Sequence, residues 1–176
     1  MTKIKTKNTR TRGPLSADPD KFNAIAKTAR LELIQMNSCA FEVKPSFFIR
    51  RKEVKLAFER NVVSVHCDSA ERSGIGFFHY SIVARIGREQ VLKCHSRYMV
   101  AYEVETECDS EAFEVFCERT GMLTAYAYFR ALVANLASSA NVDLPPLPMV
   151  NFQPMRKPAS SDNTLKGSEP TPQGSI

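Results

Sequence analysis

The chain has 176 residues, of which 43% are hydrophobic, and it carries a formal net charge of +5. That length suits one folded domain with a sizeable core. No apolar run reaches the roughly 18–20 residues that a membrane-spanning helix needs, and the basic start is not followed by the apolar stretch of a secretory signal. We therefore expect a cytoplasmic protein without membrane insertion.

The positive charge is concentrated in an N-terminal arm. Residues 1–12 hold five basic side chains and no acidic one, whereas residues 13–152 hold 16 basic and 17 acidic residues. Because residues 1–17 lack apolar periodicity, we predict a disordered basic arm. A nucleic-acid-binding protein that uses this arm is one interpretation. A solvated tail is the other, and it agrees better with the near-neutral body.

A short helix and a long strand are predicted after the arm. Asp18 is placed to cap the helix, with Pro19 at its first position. Residues 31–43 alternate imperfectly between apolar and polar types, which predicts a strand that ends before Pro45. The following residues, up to residue 52, form a connection to the next strand.

Three further strands are predicted in succession. The first of them changes the phase of its apolar residues, which indicates a bulge near Arg60. Residues 76–86 and 91–106 alternate regularly, so each strand buries one face and exposes the other. A three-residue hairpin loop over 87–89 would keep the two apolar faces on the same side of the sheet.

Two helices are predicted after the strands. Asp109 caps a short helix that runs to about residue 119 and stops at Gly121. A longer helix spans about residues 124–138 and carries an apolar stripe. The closely spaced prolines that follow exclude both a helix and a central strand.

The order of these elements predicts one α+β domain over residues 18–152, followed by a disordered tail over 153–176. In this domain, a four-stranded antiparallel sheet has a crossover connection after its first strand. A short and a long C-terminal helix lie on one side of the sheet. Two helices leave apolar sheet surface uncovered, so we expect oligomerisation.

The sequence contains none of the motifs that are typical of enzymes. It has no Gly-rich phosphate loop, no HExxH and no GxSxG, and its five cysteines include no CxxC pair. The dipeptides His66-Cys67 and Cys94-His95 lie on predicted strands, where neighbouring side chains point to opposite faces. Each dipeptide therefore offers a common metal site only one ligand. We predict no enzyme, no metal and no cofactor.

An acidic run follows the last predicted strand. Glu103, Glu105 and Glu107 alternate along its end. Catalytic carboxylates are typically placed in apolar pockets, and these three are not. We consider a surface that docks a partner protein and a merely solvated edge as the two interpretations.

Two short motifs stand close together near the C-terminus: TAYAYFRALVANLASS at 124–139 and LPPLPMVNF at 144–152. They resemble the SecB export-chaperone family, whose long helix opens with an F-P-Y-A-R-like motif and is followed by a leucine- and proline-rich stretch that closes on P-V-N-F. Tyr128 and Arg130 take the Tyr and Arg places of the first motif. In its order of elements, the resemblance covers residues 31–152.

The departures from this pattern favour one branch of the family. Ala127, Phe129 and Met149 replace the residues common at those places, and the body is near neutral whereas the export members are strongly acidic. The chain looks more like the SecB-like chaperones that accompany toxin–antitoxin pairs and hold an aggregation-prone antitoxin.

The resemblance implies an ATP-independent molecular chaperone, or holdase, that binds unfolded or export-bound polypeptides. Family members are homotetramers, built as a dimer of dimers. Their clients lie in long apolar grooves formed by the crossover segment and the helices. An acidic outer sheet face docks the export ATPase SecA in that family, which would give Glu103, Glu105 and Glu107 a role here. A chaperone dedicated to an antitoxin is the alternative.

Five residues are candidates for client binding. Phe47 and Phe48 precede three basic residues and would form an apolar patch flanked by charge, which a holdase needs. Met122, Leu123 and Tyr126 would line a facing wall, where the flexible Met suits varied partners. For all five, packing in the core or between subunits is the alternative.

Overall fold

The computed structural model describes residues 5–8 and 18–150. Its elements are β1 (Lys5–Asn8), α1 (Pro19–Thr28), β2 (Ala29–Val43), α2 (Pro45–Ile49), a 3-10 turn (Arg51–Glu53), β3 (Lys55–Asp68), β4 (Ser73–Ile86), β5 (Glu89–Val104) and α3 (Ser110–Ser139). The predicted α+β class is confirmed. The tail predicted over 153–176 lies outside the described residues, as does most of the predicted arm.

The strands form one sheet in the order β1-β3-β4-β5-β2. Strands β2 to β5 pair antiparallel, and the chain crosses from β2 at one edge to β3 through α2 and the 3-10 turn. The predicted four-stranded antiparallel sheet with a crossover after its first strand is therefore confirmed. Among the described strands, β2 pairs with β5 alone.

Strand β1 was not predicted. It pairs parallel to β3, with Lys5 opposite Ala57 and Asn8 opposite Arg60. The prediction of a disordered arm is therefore wrong for residues 5–8. The reason is a free sheet edge: without β1, the backbone groups on the outer side of β3 would have no strand to pair with.

The core lies between one face of the sheet and helices α1 and α3. The rings of Tyr80 in β4 and Phe129 in α3 stack with their centroids 5.3 Å apart. Phe22 of α1 contacts Phe116 of α3 at 5.7 Å. Both helix starts follow the predicted caps. The Asp18 carboxylate accepts a hydrogen bond from the Asp20 amide at 3.0 Å, and that of Asp109 accepts one from the Ala112 amide at 2.9 Å.

The predicted division into a short and a long C-terminal helix is wrong, because α3 is one helix of 30 residues. Gly121 lies inside it rather than at an end. A Cβ atom at Gly121 would approach Cζ of Phe78 to 2.5 Å, and one at Gly76 would approach the same atom equally closely. The glycine therefore makes room for a buried ring between helix and sheet, a role that the sequence pattern does not distinguish from a helix stop.

The predicted three-residue hairpin loop is also wrong. Ile86 pairs with Glu89 across a two-residue turn whose first residue, Gly87, has a φ of 60°, as expected for a type II′ turn. A bulge at Val91 then restores the register, so that the apolar faces of β4 and β5 still coincide. As a result, the consecutive residues Val91 and Leu92 are both buried.

The bulge predicted near Arg60 lies slightly further along β3. The register between β3 and β4 shifts between Val62 and Ser64, which leaves Val63 without a partner. The phase change of the apolar residues thus indicated the irregularity correctly and misplaced it by a few residues. After the bulge, Val65 joins the residues that pack against the core.

Candidate functional site

Strand β2 is an edge strand with exposed apolar side chains. Helix α3 packs on β3, β4 and β5, and β2 lies beside them at the edge of the sheet. Leu31 and Met36 point to the face on which α3 packs, because they are paired with the core residues Tyr102 and Tyr98. Their exposed fractions are 47% and 46%. An open apolar strip therefore runs along this edge of the sheet.

The crossover contributes a second apolar surface. On the short helix α2, Phe47 is 2% exposed and joins the core, whereas Phe48 is 49% exposed. Their rings contact each other edge to face at 5.6 Å. The Lys44 amide donates a hydrogen bond of 2.9 Å to the carbonyl of Val91, which ties the start of α2 to the sheet. Phe47 and this hydrogen bond thus hold the crossover against the core, while the Phe48 side chain points toward solvent.

Phe48 borders a groove of about 350 Å³ between α2 and the C-terminal end of α3. Both aromatic residues and the end of the helix line this groove, which we call the crossover groove: Phe47, Phe48, Arg51, Ala137, Ser138, Asn141, Val142 and Asp143. A second groove of about 620 Å³ runs between the outer side of α3 and residues 142–147 and is lined mainly by alanine, leucine and proline. Both grooves are open to solvent. The second groove has the more apolar lining, whereas the crossover groove combines the exposed ring of Phe48 with mainly polar surroundings.

The basic residues beside Phe48 are partly neutralised. Arg50 donates hydrogen bonds of 3.0 and 2.6 Å to the two carboxylate oxygens of Glu53, and this holds the pKa of Glu53 below its ordinary value. Arg51 donates to the Asp143 carboxylate across the crossover groove. Lys52 is exposed and has no ion pair among the described residues. The groove therefore has a charged rim of both signs.

The three candidates on α3 lie elsewhere. Tyr126 is 3% exposed, and its hydroxyl donates a hydrogen bond of 2.7 Å to the carbonyl of Pro148, so it fastens the proline-rich segment to the helix. Met122 and Leu123 are half-buried. The Tyr80 hydroxyl donates to the Met122 carbonyl. Burial raises the pKa of Tyr126 above its ordinary value, as expected for a core phenol.

The structure does not bring the two candidate groups together within one chain. Phe48 lines the same groove as Ser138 near the end of α3, whereas Leu123 is fifteen positions earlier in this helix. At the α-helical rise per residue, these positions are roughly 20 Å apart. Leu123 and Met122 therefore form no wall opposite Phe48 in a single chain.

The acidic candidates lie at one end of the sheet. Glu103, Glu105 and Glu107 are all exposed. Arg30 of β2 is paired opposite Glu103 and donates to the Glu105 carboxylate, while Arg72 donates to the Glu105 carbonyl at 2.9 Å. Two arginines thus lie among the predicted acidic residues and reduce the negative charge of this surface.

Three thiols that the sequence does not associate come close together at the same end. A Cβ atom at Gly74 would lie 3.0 Å from Sγ of Cys67 and 2.5 Å from Sγ of Cys117, so these two thiols are neighbours, and Cys108 is near both. The proximity of Cys67, together with burial, raises the pKa of Cys117. Within residues 18–150, no group of three His, Cys, Asp or Glu side chains is arranged to hold a metal ion. No described helix has the length and apolar character to cross a membrane.

Comparisons with known proteins bear on the fold. No protein-family sequence model matches the chain, and no curated protein matches it in sequence. Its structure is similar to that of the SecB-like chaperone Rv1957 of Mycobacterium tuberculosis, solved in complex with a ChAD peptide from the antitoxin HigA1. The TM-score is 0.62 at 15% identity, over 76% of this chain and 99% of that one.

A protein of unknown function from Streptococcus agalactiae is also similar, with a TM-score of 0.31 at 10% identity over 70% of this chain and 97% of that one. That likeness is too distant to inform the fold. The similarity to the mycobacterial chaperone is different, since its TM-score is twice as high over a similar share of both chains. The chain therefore has the fold of a SecB-like chaperone, and the resemblance predicted from the sequence is confirmed at the level of the fold.

Proposed function

We propose that the protein is an ATP-independent molecular chaperone that binds non-native polypeptides in the cytoplasm. One observation carries the proposal: on a SecB-like fold, the crossover groove presents the half-exposed ring of Phe48 next to charged residues of both signs. An exposed aromatic ring can bury apolar side chains of an unfolded client, and the polar and charged residues around it keep the free protein in solution.

The clients we propose are antitoxins in preference to preproteins of the export pathway. The similar mycobacterial chaperone was solved with a peptide from an antitoxin. In contrast, Arg30 and Arg72 interrupt the surface of Glu103, Glu105 and Glu107 that would dock SecA. Weaker negative charge at that surface would reduce electrostatic attraction to a basic partner.

We further propose a homotetramer built as a dimer of dimers. Strand β2 supports this, because no described strand pairs with its outer edge and its 15 residues carry apolar side chains on both faces. Leu31 and Met36 lie on the face that α3 covers elsewhere, and Leu33 lies on the opposite one. A long and apolar edge strand pairs readily with another chain.

The substitution Phe48→Ser tests the crossover groove. It removes an apolar ring that is half-exposed, so we expect client affinity to fall about tenfold while the fold persists. Ile49→Ser is the matched control, because Ile49 is 80% exposed and adjacent but does not line the groove. Binding is measured by fluorescence anisotropy of a labelled unfolded client. Equal losses in both variants, or none in either, would contradict the groove assignment.

A further inference from the structure

The sheet face opposite α3, which we call the outer face, is covered by no other described element. Its side chains alternate with those of the core along β3, β4 and β5. Within the described part of the chain, the outer face therefore packs against no helix. Its side chains are available to contact another molecule.

The half of the outer face near the β4–β5 turn is cationic. We call it the cationic half, and its basic side chains are Lys55, His79, Arg85, Lys93, His95 and Arg97. Its acidic side chains are Glu42, opposite Lys93, and Glu59, opposite Ser81. Four lysines and arginines thus face two carboxylates, although residues 18–150 as a whole hold one more acidic than basic residue.

The cations are arranged unfavourably for the isolated chain. Lys55 is directly opposite Arg85. Like charges in such cross-strand positions are destabilising. No ion pair to Lys55, Arg85, Lys93 or Arg97 occurs among the described residues. Carboxylates from another molecule would relieve this repulsion.

The other half of the outer face carries an apolar cluster. Its side chains, which we call the apolar half, are Leu33, Ile75, Phe77, Met99 and Ala101. Polar and charged side chains lie beside this cluster on the same face, among them Arg30, His66, Asp68 and Glu103. Leu33 and Ile75 are exposed, and Phe77 contacts His66 edge to face at 6.5 Å. Apolar groups gathered next to charged ones are typical of protein interfaces.

We propose that the outer face docks an acidic polypeptide that places carboxylates on the cationic half and apolar side chains on the apolar half. A nucleic acid fits less well, because the apolar half offers its phosphates no favourable contact. The surface is separate from the crossover groove, since Phe47 of that groove packs on the core side of the sheet. The proposal therefore does not depend on client binding.

A labelled synthetic peptide of alternating leucine and glutamate is the probe, with a leucine–lysine peptide and a single-stranded RNA as comparisons. The double variant Arg85→Glu/Arg97→Glu reverses two exposed cations of the cationic half. We expect the full-length protein to bind the acidic peptide and to lose about tenfold or more in affinity in this variant, with a strong salt dependence. The control Lys27→Glu/Lys52→Glu changes net charge equally at other exposed positions and should leave affinity unchanged.

Two further variants keep the test decisive. Ile75→Ser should weaken binding several-fold through the apolar half, and Phe48→Ser should not change it. If the double reversal unfolds the protein, Arg97→Gln removes one exposed charge and should still weaken binding about threefold. Affinity that is equal in the reversal and the control variants, or that is higher for RNA or for the lysine peptide, would overturn the proposal. So would loss of binding in Phe48→Ser.

Discussion

His79 lies on the outer face of the sheet beside cations, so its protonation opposes folding. Burial lowers its pKa from 6.5, and Arg97, His95 and Lys93 of β5 lower it further, while Glu59 of β3 acts in the opposite direction. The unfolded chain therefore binds a proton at a pH where the folded chain does not, and stability falls as the pH falls through that range.

The substitution His79→Gln removes this proton-binding difference. We expect the wild type to lose more thermal stability than the variant when the pH is lowered from about 7.5 to about 5.5, the range in which histidine titrates. Unfolding followed by circular dichroism at the two pH values measures both slopes. Parallel slopes in wild type and variant would show that His79 does not contribute to the pH dependence.

Phe47 and Phe48 mark how far single residues are predictable from the sequence. Their adjacency to basic residues predicts an apolar patch at the crossover, and Phe48 is indeed half-exposed. Which of the two faces the core could not be predicted, because a five-residue helix is too short to show a periodicity. The burial of Tyr126 could not be predicted either. On a helix, residues of the core and residues that line a groove can both follow the 3.6-residue spacing.

At the scale of elements, the long helix α3 depends on the absence of a side chain at Gly121. The substitution Gly121→Ala would raise helix propensity by about 1 kcal/mol. The added methyl group would, however, meet the Phe78 ring at 2.5 Å. Because this ring is buried against Gly76 as well, overpacking should prevail, and we expect the protein to lose about 1–3 kcal/mol of stability.

The control Asn135→Ala adds an alanine at an exposed position of the same helix. It should raise the free energy of unfolding by a few tenths of a kcal/mol through propensity alone. Urea unfolding of the three proteins measures the difference. If Gly121→Ala proved as stabilising as the control, the glycine would have no packing role and α3 would tolerate a side chain there.

The strands were more predictable than their irregularities. Regular alternation in β4 and β5 indicates two strands with one buried face each, because side chains alternate with the pleat. A two-residue turn at Gly87 followed by a bulge at Val91 brings the apolar faces of β4 and β5 to the same side of the sheet. A three-residue loop without a bulge would do the same, so the alternation of apolar residues does not distinguish the two arrangements. Strand β1 has no apolar pattern and is fixed only by the free edge of β3.

At the scale of the whole molecule, the open edge of β2 predicts self-association. We expect the full chain to sediment at four times its mass of 19.7 kDa. The variant Leu31→Glu/Met36→Glu places charges on the strip beside α3 and should dissociate the assembly, because charge is depleted from the centre of interfaces. The control Gln35→Glu adds a charge at an exposed polar position of β2 and should leave the mass unchanged. Sedimentation equilibrium measures the mass of each protein. A wild-type mass of one chain would contradict the proposed tetramer.

The signal for this edge is present in the sequence. Leu31, Leu33, Ile34 and Met36 place apolar side chains on both faces of β2, once the register shift after Leu31 is taken into account. A strand that is apolar on both faces is either central or lies at an interface. Only the sheet order, with β2 at the edge, decides between the two.

The central claim is that the protein distinguishes non-native from native chains. The measurement that tests it most directly is a titration of one reduced, unfolded client into the full-length protein at moderate salt, with the native form of the same client as the comparison. The account predicts saturable binding of the unfolded form without added nucleotide, about tenfold weaker in Phe48→Ser and unchanged in Ile49→Ser. No binding of the unfolded form, or equal binding of the native form, would contradict it.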